Sequence, residues 1–110
     1  MEHLAFLQDQ SISAVIFLKR YLQLEFDNAT ITCFTWPLLM GHSHDYTHRH
    51  PDYRNQLCRL IGQPVTSITE ATQGLVISFK NRELLFEKRG PHELLVITDS
   101  NGEWHSYPDL

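Results

Sequence analysis

The sequence predicts an α+β domain, mostly antiparallel β, on three observations. Apolar and polar residues alternate through Leu22, Leu24 and Phe26 and again through Leu75, Ile77 and Phe79, the period of a strand with one wet face. A short run at helical spacing precedes each of these segments, Leu4 to Leu7 in the first case and Tyr53, Leu57, Leu60 and Ile61 in the second. The two stretches also align without a gap at an offset of 53 residues. Leu4, Leu7, Gln10, Ile12, Val15, Leu22, Leu24, Phe26, Asn28 and Ile31 stand opposite Leu57, Leu60, Gln63, Val65, Ile68, Leu75, Ile77, Phe79, Asn81 and Leu84. Six of these pairs are identities, where average residue usage gives about two over that length. The expected architecture is therefore two pseudo-repeated units, each a helix-turn plus three-strand meander.

Leu4 to Leu7 reads as one helical turn, and Ile12 to Leu18, rich in β-branched residues, as a buried strand. Leu22 to Phe26 is a half-wet strand that Asp27-Asn28 closes, since asparagine tolerates a tight turn. Thr30 to Trp36 returns as a third strand, and Pro37 stops it because proline has no N–H for a ladder. In the second unit Pro51-Asp52 opens a helix and Gly62 ends it. Strands are expected at about Val65 to Glu70, Leu75 to Phe79 and Leu84 to Lys88. Beyond them lies a hairpin, Glu93 to Thr98 and Glu103 to Tyr107, whose loop carries the Asn101-Gly102 turn signal. The chain divides into unit 1 at about 4–36, a His-rich loop at 38–50, unit 2 at about 51–88 and the C-terminal hairpin at 92–107, all in a single domain of 110 residues.

Composition narrows the function classes. A formal charge of −4 and the lack of a basic stripe argue against a dedicated nucleic-acid binder, with Lys19-Arg20 and Lys88-Arg89 reading as solvated strand ends. No apolar run reaches the ~20 residues of a membrane helix, and Met1-Glu2-His3 carries no basic n-region, so a cytoplasmic protein without a membrane partner is expected. Cys33 and Cys58 read as small buried thiols rather than a bridge. Ser11, Ser13, Ser67 and Ser78 fall in strand-like segments with no nucleophile-elbow pattern, and Glu83, Glu87 and Glu93 read as solvated strand carboxylates. No catalytic constellation is predicted.

The segment Gly41 to His50 could carry chemistry. It holds four of the seven histidines as two His-x-His pairs. On an extended chain His42 and His44 point one way, as do His48 and His50, so a bend between the pairs would gather four imidazoles around Zn or Ni. The competing readings are a plain connector or interaction loop and a pH-sensitive contact surface, since histidine titrates near neutrality. Tyr46, Arg49, Trp36 and Trp104 are candidate interface anchors, with a core position as the competing reading for the tryptophans.

The runs Leu60-Ile61-Gly62-Gln63-Pro64-Val65-Thr66-Ser67-Ile68, Gly74 to Asn81 and His92 to Gly102 resemble a group of small uncharacterised bacterial proteins. Their pattern is a helix ending Leu-Ile/Leu-Gly, a Val-Thr strand, a Leu-x-Phe-x-Asp-Gly hairpin and a closing acidic-hydrophobic strand. This chain has Asn81-Arg82 where that pattern has Asp-Gly. Some proteins of this kind resemble immunity proteins that guard a cell against its own toxins, and the resemblance implies a non-enzymatic protein-binding or immunity-type module with a protein partner. The alternative is a metal-binding protein, possibly enzymatic, using His42, His44, His48 and His50. Open sheet edges add the expectation of a homodimer.

Overall fold

The computed structural model describes residues 2–41, 43–90 and 92–108, the side chains of residues 2 and 3 excepted. A 3₁₀ turn, Glu2–Leu7, leads into β1 (Ile12–Phe17), β2 (Leu22–Phe26) and β3 (Ala29–Cys33). Two short strands follow, β4 (Leu38–Met40) and β5 (Asp45–Tyr46), then the helix α1 (Tyr53–Cys58). The chain continues through β6 (Ser67–Ala71), β7 (Gly74–Ser78) and β8 (Glu83–Glu87), and ends in the hairpin β9 (Leu95–Asp99) and β10 (Trp104–Tyr107).

The α+β expectation is overturned. Strands take up 47% of the chain, against one 3₁₀ turn and a six-residue helix, so the fold is nearly all β. Both apolar runs at helical spacing are real but too short to make a helical layer. Leu4 and Leu7, three apart, lie on one side of a 3₁₀ turn and are fully buried. A helix as short as α1 is marginal alone and draws its stability from the burial of Tyr53, Gln56 and Leu57. Ile61, expected on the same apolar face, is 46% exposed. The chain has left the helix by then, and of the adjacent Leu60 and Ile61 only Leu60 faces inward.

Two five-stranded antiparallel sheets form, in the orders β1-β2-β3-β9-β10 and β5-β4-β8-β7-β6. Each consists of a three-strand meander from one half of the chain and a hairpin from the other. After β3 the chain crosses to pair β4 with β8, and after β8 it crosses back to pair β9 with β3. The inner faces share one core, including Leu22, Leu24 and Ile31 from one sheet and Leu75, Ile77 and Phe86 from the other, all fully buried. Strand β1 was expected to be buried, but only Ile12 is, because β1 is an edge strand with one face wet.

Hydrogen bonds recur at the 53-residue spacing where the halves meet. Asp9 N–H donates to Val65 O at 2.8 Å and Gly62 N–H to Ile12 O at 2.7 Å. Val65 N–H donates to Gln10 O, and Ile12 N–H to Gln63 O. The Gln10 amide reaches Phe6 O at 2.9 Å as the Gln63 amide reaches Arg59 O at 3.1 Å. A local twofold relation therefore holds across this seam. Among the described residues no helix is long and apolar enough to cross a membrane.

Candidate functional site

The histidine segment is folded rather than extended. Gly41 N–H donates to His44 O at 3.1 Å, turning the chain so that Tyr46 pairs with Leu39 across β4 and β5. A second turn follows, His50 N–H to Thr47 O at 2.9 Å. His50 Nδ1 accepts the Asp52 N–H at 3.0 Å, and Tyr53 N–H donates to His50 O, so the segment is tied to the start of α1. The Tyr53 hydroxyl donates to the carbonyl of Pro37, anchoring α1 against the crossing from β3. Burial pushes that phenol well above its ordinary range.

The second turn separates His48 from His50, which an extended chain would have paired. His44 and His50 meet edge to face with ring centres 5.3 Å apart, and the Tyr46 ring lies 4.7 Å from the first and 4.8 Å from the second. His48 instead stacks on Trp36 at 6.0 Å and 16°. His42, the remaining candidate ligand, lies outside the described residues. Among the described residues the one trio of potential metal ligands that converges is Asp99, Glu103 and His105, away from this segment. Asp99 already caps its turn there, accepting from the N–H groups of Asn101 and Glu103 and meeting His105 Nε2 at 3.0 Å.

Two concavities flank the β4–β5 hairpin. One, of about 400 Å³, is lined by Gly41, Ser43, His44, Tyr46, Arg59, Gln63, Asn81 and Arg82. The Arg82 guanidinium sits 5.9 Å from the centre of the Tyr46 ring. The other, of about 320 Å³, holds Trp36, Leu38, His48, Arg49, Glu87 and Arg89 among its walls. It adjoins a smaller hollow where Trp36 and His48 meet Phe17, Tyr53 and Arg54, with the Arg54 guanidinium 5.1 Å over the Phe17 ring. Of the four predicted interface anchors, Trp36 and Arg49 thus share a groove and Tyr46 faces the opposite cleft. Trp104 stands apart on the edge strand β10, 76% exposed, which removes the core reading for that residue.

The local electrostatics assign several groups to structure. The Asp52 carboxylate is held below its usual range first by the hydrogen bond from Gln56 and then by that from Asn55. Cys33 is fully buried, and desolvation pushes its thiol far up, so it presents no thiolate. Cys58, expected to be buried, is exposed.

Reading by motif missed Arg59, Gln63, Asn81 and Arg82. Asn81-Arg82 had stood out only as a departure from an Asp-Gly turn. Comparison with protein-family models, curated proteins and solved structures found no match for this chain. The fold and its two concavities define the class: a small, nearly all-β domain with an arginine- and aromatic-lined surface.

Proposed function

We propose that the chain is a non-catalytic protein-binding module whose contact face is the groove at Trp36. The observation carrying this reading is the company that Trp36 keeps: His48 stacked on its ring, Phe17 below, and Arg49, Arg54 and Arg89 around it. Tryptophan and arginine are the side chains that most often dominate binding energy, and here they line concave surface beside an exposed hairpin. Three arginines against the single carboxylate Glu87 suit an acidic partner surface. The resemblance to immunity-type proteins makes a toxin of the same cell the leading candidate. A second copy of the chain, added through an edge strand such as β1, is the alternative partner.

The test is retention of a host protein on immobilised chain, compared among wild type, Trp36→Ala and Arg49→Glu. One stoichiometric partner is expected, released by salt, with affinity reduced by roughly thirtyfold or more in either variant, as loss of an anchor implies. Arg49 is exposed, so its reversal leaves the core intact should Trp36→Ala unfold. Equal retention on all three baits, or recovery of the chain alone, overturns the proposal. Light scattering tests the alternative partner: a monomer at micromolar concentration removes the second copy.

A further inference from the structure

The cleft on the opposite side of the β4–β5 hairpin shares no lining residue with the Trp36 groove. We infer that it is a binding site for a small oxyanion of the phosphate type, held by Arg59 and Arg82 with the help of Asn81 and His44.

Charge is the first argument. The chain has 13 acidic and nine basic residues, yet two of the nine line this cleft and its own lining holds no carboxylate, Glu83 standing in an adjoining hollow that shares Gly41, Asn81 and Arg82. Among the described residues neither guanidinium has a carboxylate oxygen within 4.0 Å; the ion pairs formed are Lys88 with Glu70 and Asp99 with His105. Arg59 acts on Asp52 only through space, as one of the weaker influences on that carboxylate.

Arg82 adds an observation of its own. Its Nη1 is cut off from water and has no acceptor among the described residues. A buried donor without an acceptor is destabilising, and a turn of the Arg82 side chain that brought Nη1 out to an oxyanion in the cleft would supply the acceptor. A guanidinium fork matches paired oxygens of a phosphate or sulfate, and the Asn81 amide and Ser43 hydroxyl supply neutral donors to the rest.

The local twofold supplies a comparison within the same chain. Residues 53 positions before Arg59 and Arg82 are Phe6 and Ala29. Tyr46 pairs with Leu39 beside β8 as His105 pairs with Ile97 beside β3. At that related place Phe6 packs against the His105 ring at 5.3 Å, and the carboxylate of Asp99 satisfies His105 from within. Its filling is an aromatic contact and an internal ion pair. The related place is thus filled without an arginine; of the two in the cleft, Arg82 lies 5.9 Å from the centre of the Tyr46 ring, and Arg59 has no such ring contact among the described residues. A volume of about 400 Å³ suits a small organic anion, and the Tyr46 and His44 rings offer a wall for its carbon body.

The probes are inorganic phosphate and phenyl phosphate, titrated at low salt into isotopically labelled protein while backbone amide shifts are followed. Saturable shifts are expected at Gly41, Asn81 and Arg82, with binding weakened roughly tenfold in Arg59→Gln and in Arg82→Gln and unchanged in Arg20→Gln, which lies in the exposed turn between β1 and β2. Tighter binding of phenyl phosphate than of phosphate identifies an ester as the natural ligand class, and equal binding identifies the free ion. Arg59 is exposed, so its variant tests the site even should Arg82→Gln not fold. Shifts spread over Arg49, Arg54 and Arg89 alike, non-saturating shifts, or unaltered binding in Arg59→Gln overturn the inference.

Discussion

Replacing Gly74 with alanine probes a close backbone approach between two strands of the second sheet. Gly74 opens β7 opposite Glu87, with φ of 153°. A Cβ built there lies 1.9 Å from the Phe86 carbonyl oxygen, against a floor of 3.0 Å for real Cβ contacts, so the strands must part by about 1.1 Å. The obstructing atom is backbone and cannot rotate away. Strand β7 is held between β6 and β8, so relief on one side strains the other. Loss of one or two ladder hydrogen bonds, about 1 kcal/mol each, adds to disturbed packing of fully buried Phe86, about 1–3 kcal/mol. The expected destabilisation is about 2–5 kcal/mol, a large part of the 5–15 kcal/mol typical of a domain. In urea, with a slope of roughly 1.5 kcal/mol per molar, the midpoint should fall by about 1–3 M. Gly102→Ala is the control: its φ is 82°, nothing lies within 4 Å of the added methyl, and only the backbone penalty of about 1–2 kcal/mol remains. A Gly74 variant no less stable than the Gly102 variant would refute the reasoning.

Other expectations rest on burial and charge. Native protein should titrate one thiol with an aromatic disulfide reagent, that of exposed Cys58, and a second only after unfolding releases Cys33; two fast thiols would contradict the core described. The Tyr107 phenol, buried and donating to Glu70 at 2.9 Å, is pushed up to about 12, so the stability it contributes is complete below 10.0 and lost as pH rises toward 12. Tyr107→Phe should flatten that alkaline loss in a series of denaturation curves, and an unchanged slope would exclude the linkage. The Asp99 carboxylate is lowered from 3.8, first by the hydrogen bond from His105, so its contribution is present above 3.8 and lost as pH falls through the lowered value. Asp99→Asn should be less acid-sensitive below that point, and an acid limb identical to wild type counts against the pair. Leu24→Ala and Ile77→Ala, each emptying a fully buried site in one of the two sheets, should cost about 2–5 kcal/mol apiece by chemical denaturation, and a loss under 1 kcal/mol at either would contradict its placement.

The central strands were legible because alternation is a local property. Leu22, Leu24 and Phe26 are buried while Gln23 and Glu25 are half-exposed, as period-two spacing requires. The closing hairpin was legible because Asn101-Gly102 is a turn signal, and Gly102 adopts the positive φ expected of it. Strands β4 and β5 were not, since Leu38 to Met40 and Asp45-Tyr46 are too short to show a period. The helical content was overestimated for a related reason: Leu4 with Leu7, and Tyr53 with Leu57 and Leu60, fit a 3₁₀ turn and a turn and a half of helix as well as they fit a longer helix. The histidine segment was read as two extended His-x-His pairs with a bend between them, and a turn from Thr47 to His50 sent His48 to Trp36 and His50 to His44 and Tyr46. Arg59 and Arg82 carried no motif, being 23 positions apart in sequence and joined only by a shared cleft.

By itself, the sequence determined where the longer strands run and, for alternating ones such as β2 and β7, which face turns inward, because those choices depend on neighbours two residues away. Only the tertiary structure decided which strands meet. The chain exchanges its hairpins, β4 and β5 joining the second meander and β9 and β10 the first, so that neither half completes a sheet alone. Within its own meander each of β3 and β8 has one edge left to pair, and no local pattern names the partner for either. That pairing is settled by the length and direction of the crossings and by the single core they enclose, and it is also what sets Arg59, Tyr46 and Arg82 around one cleft.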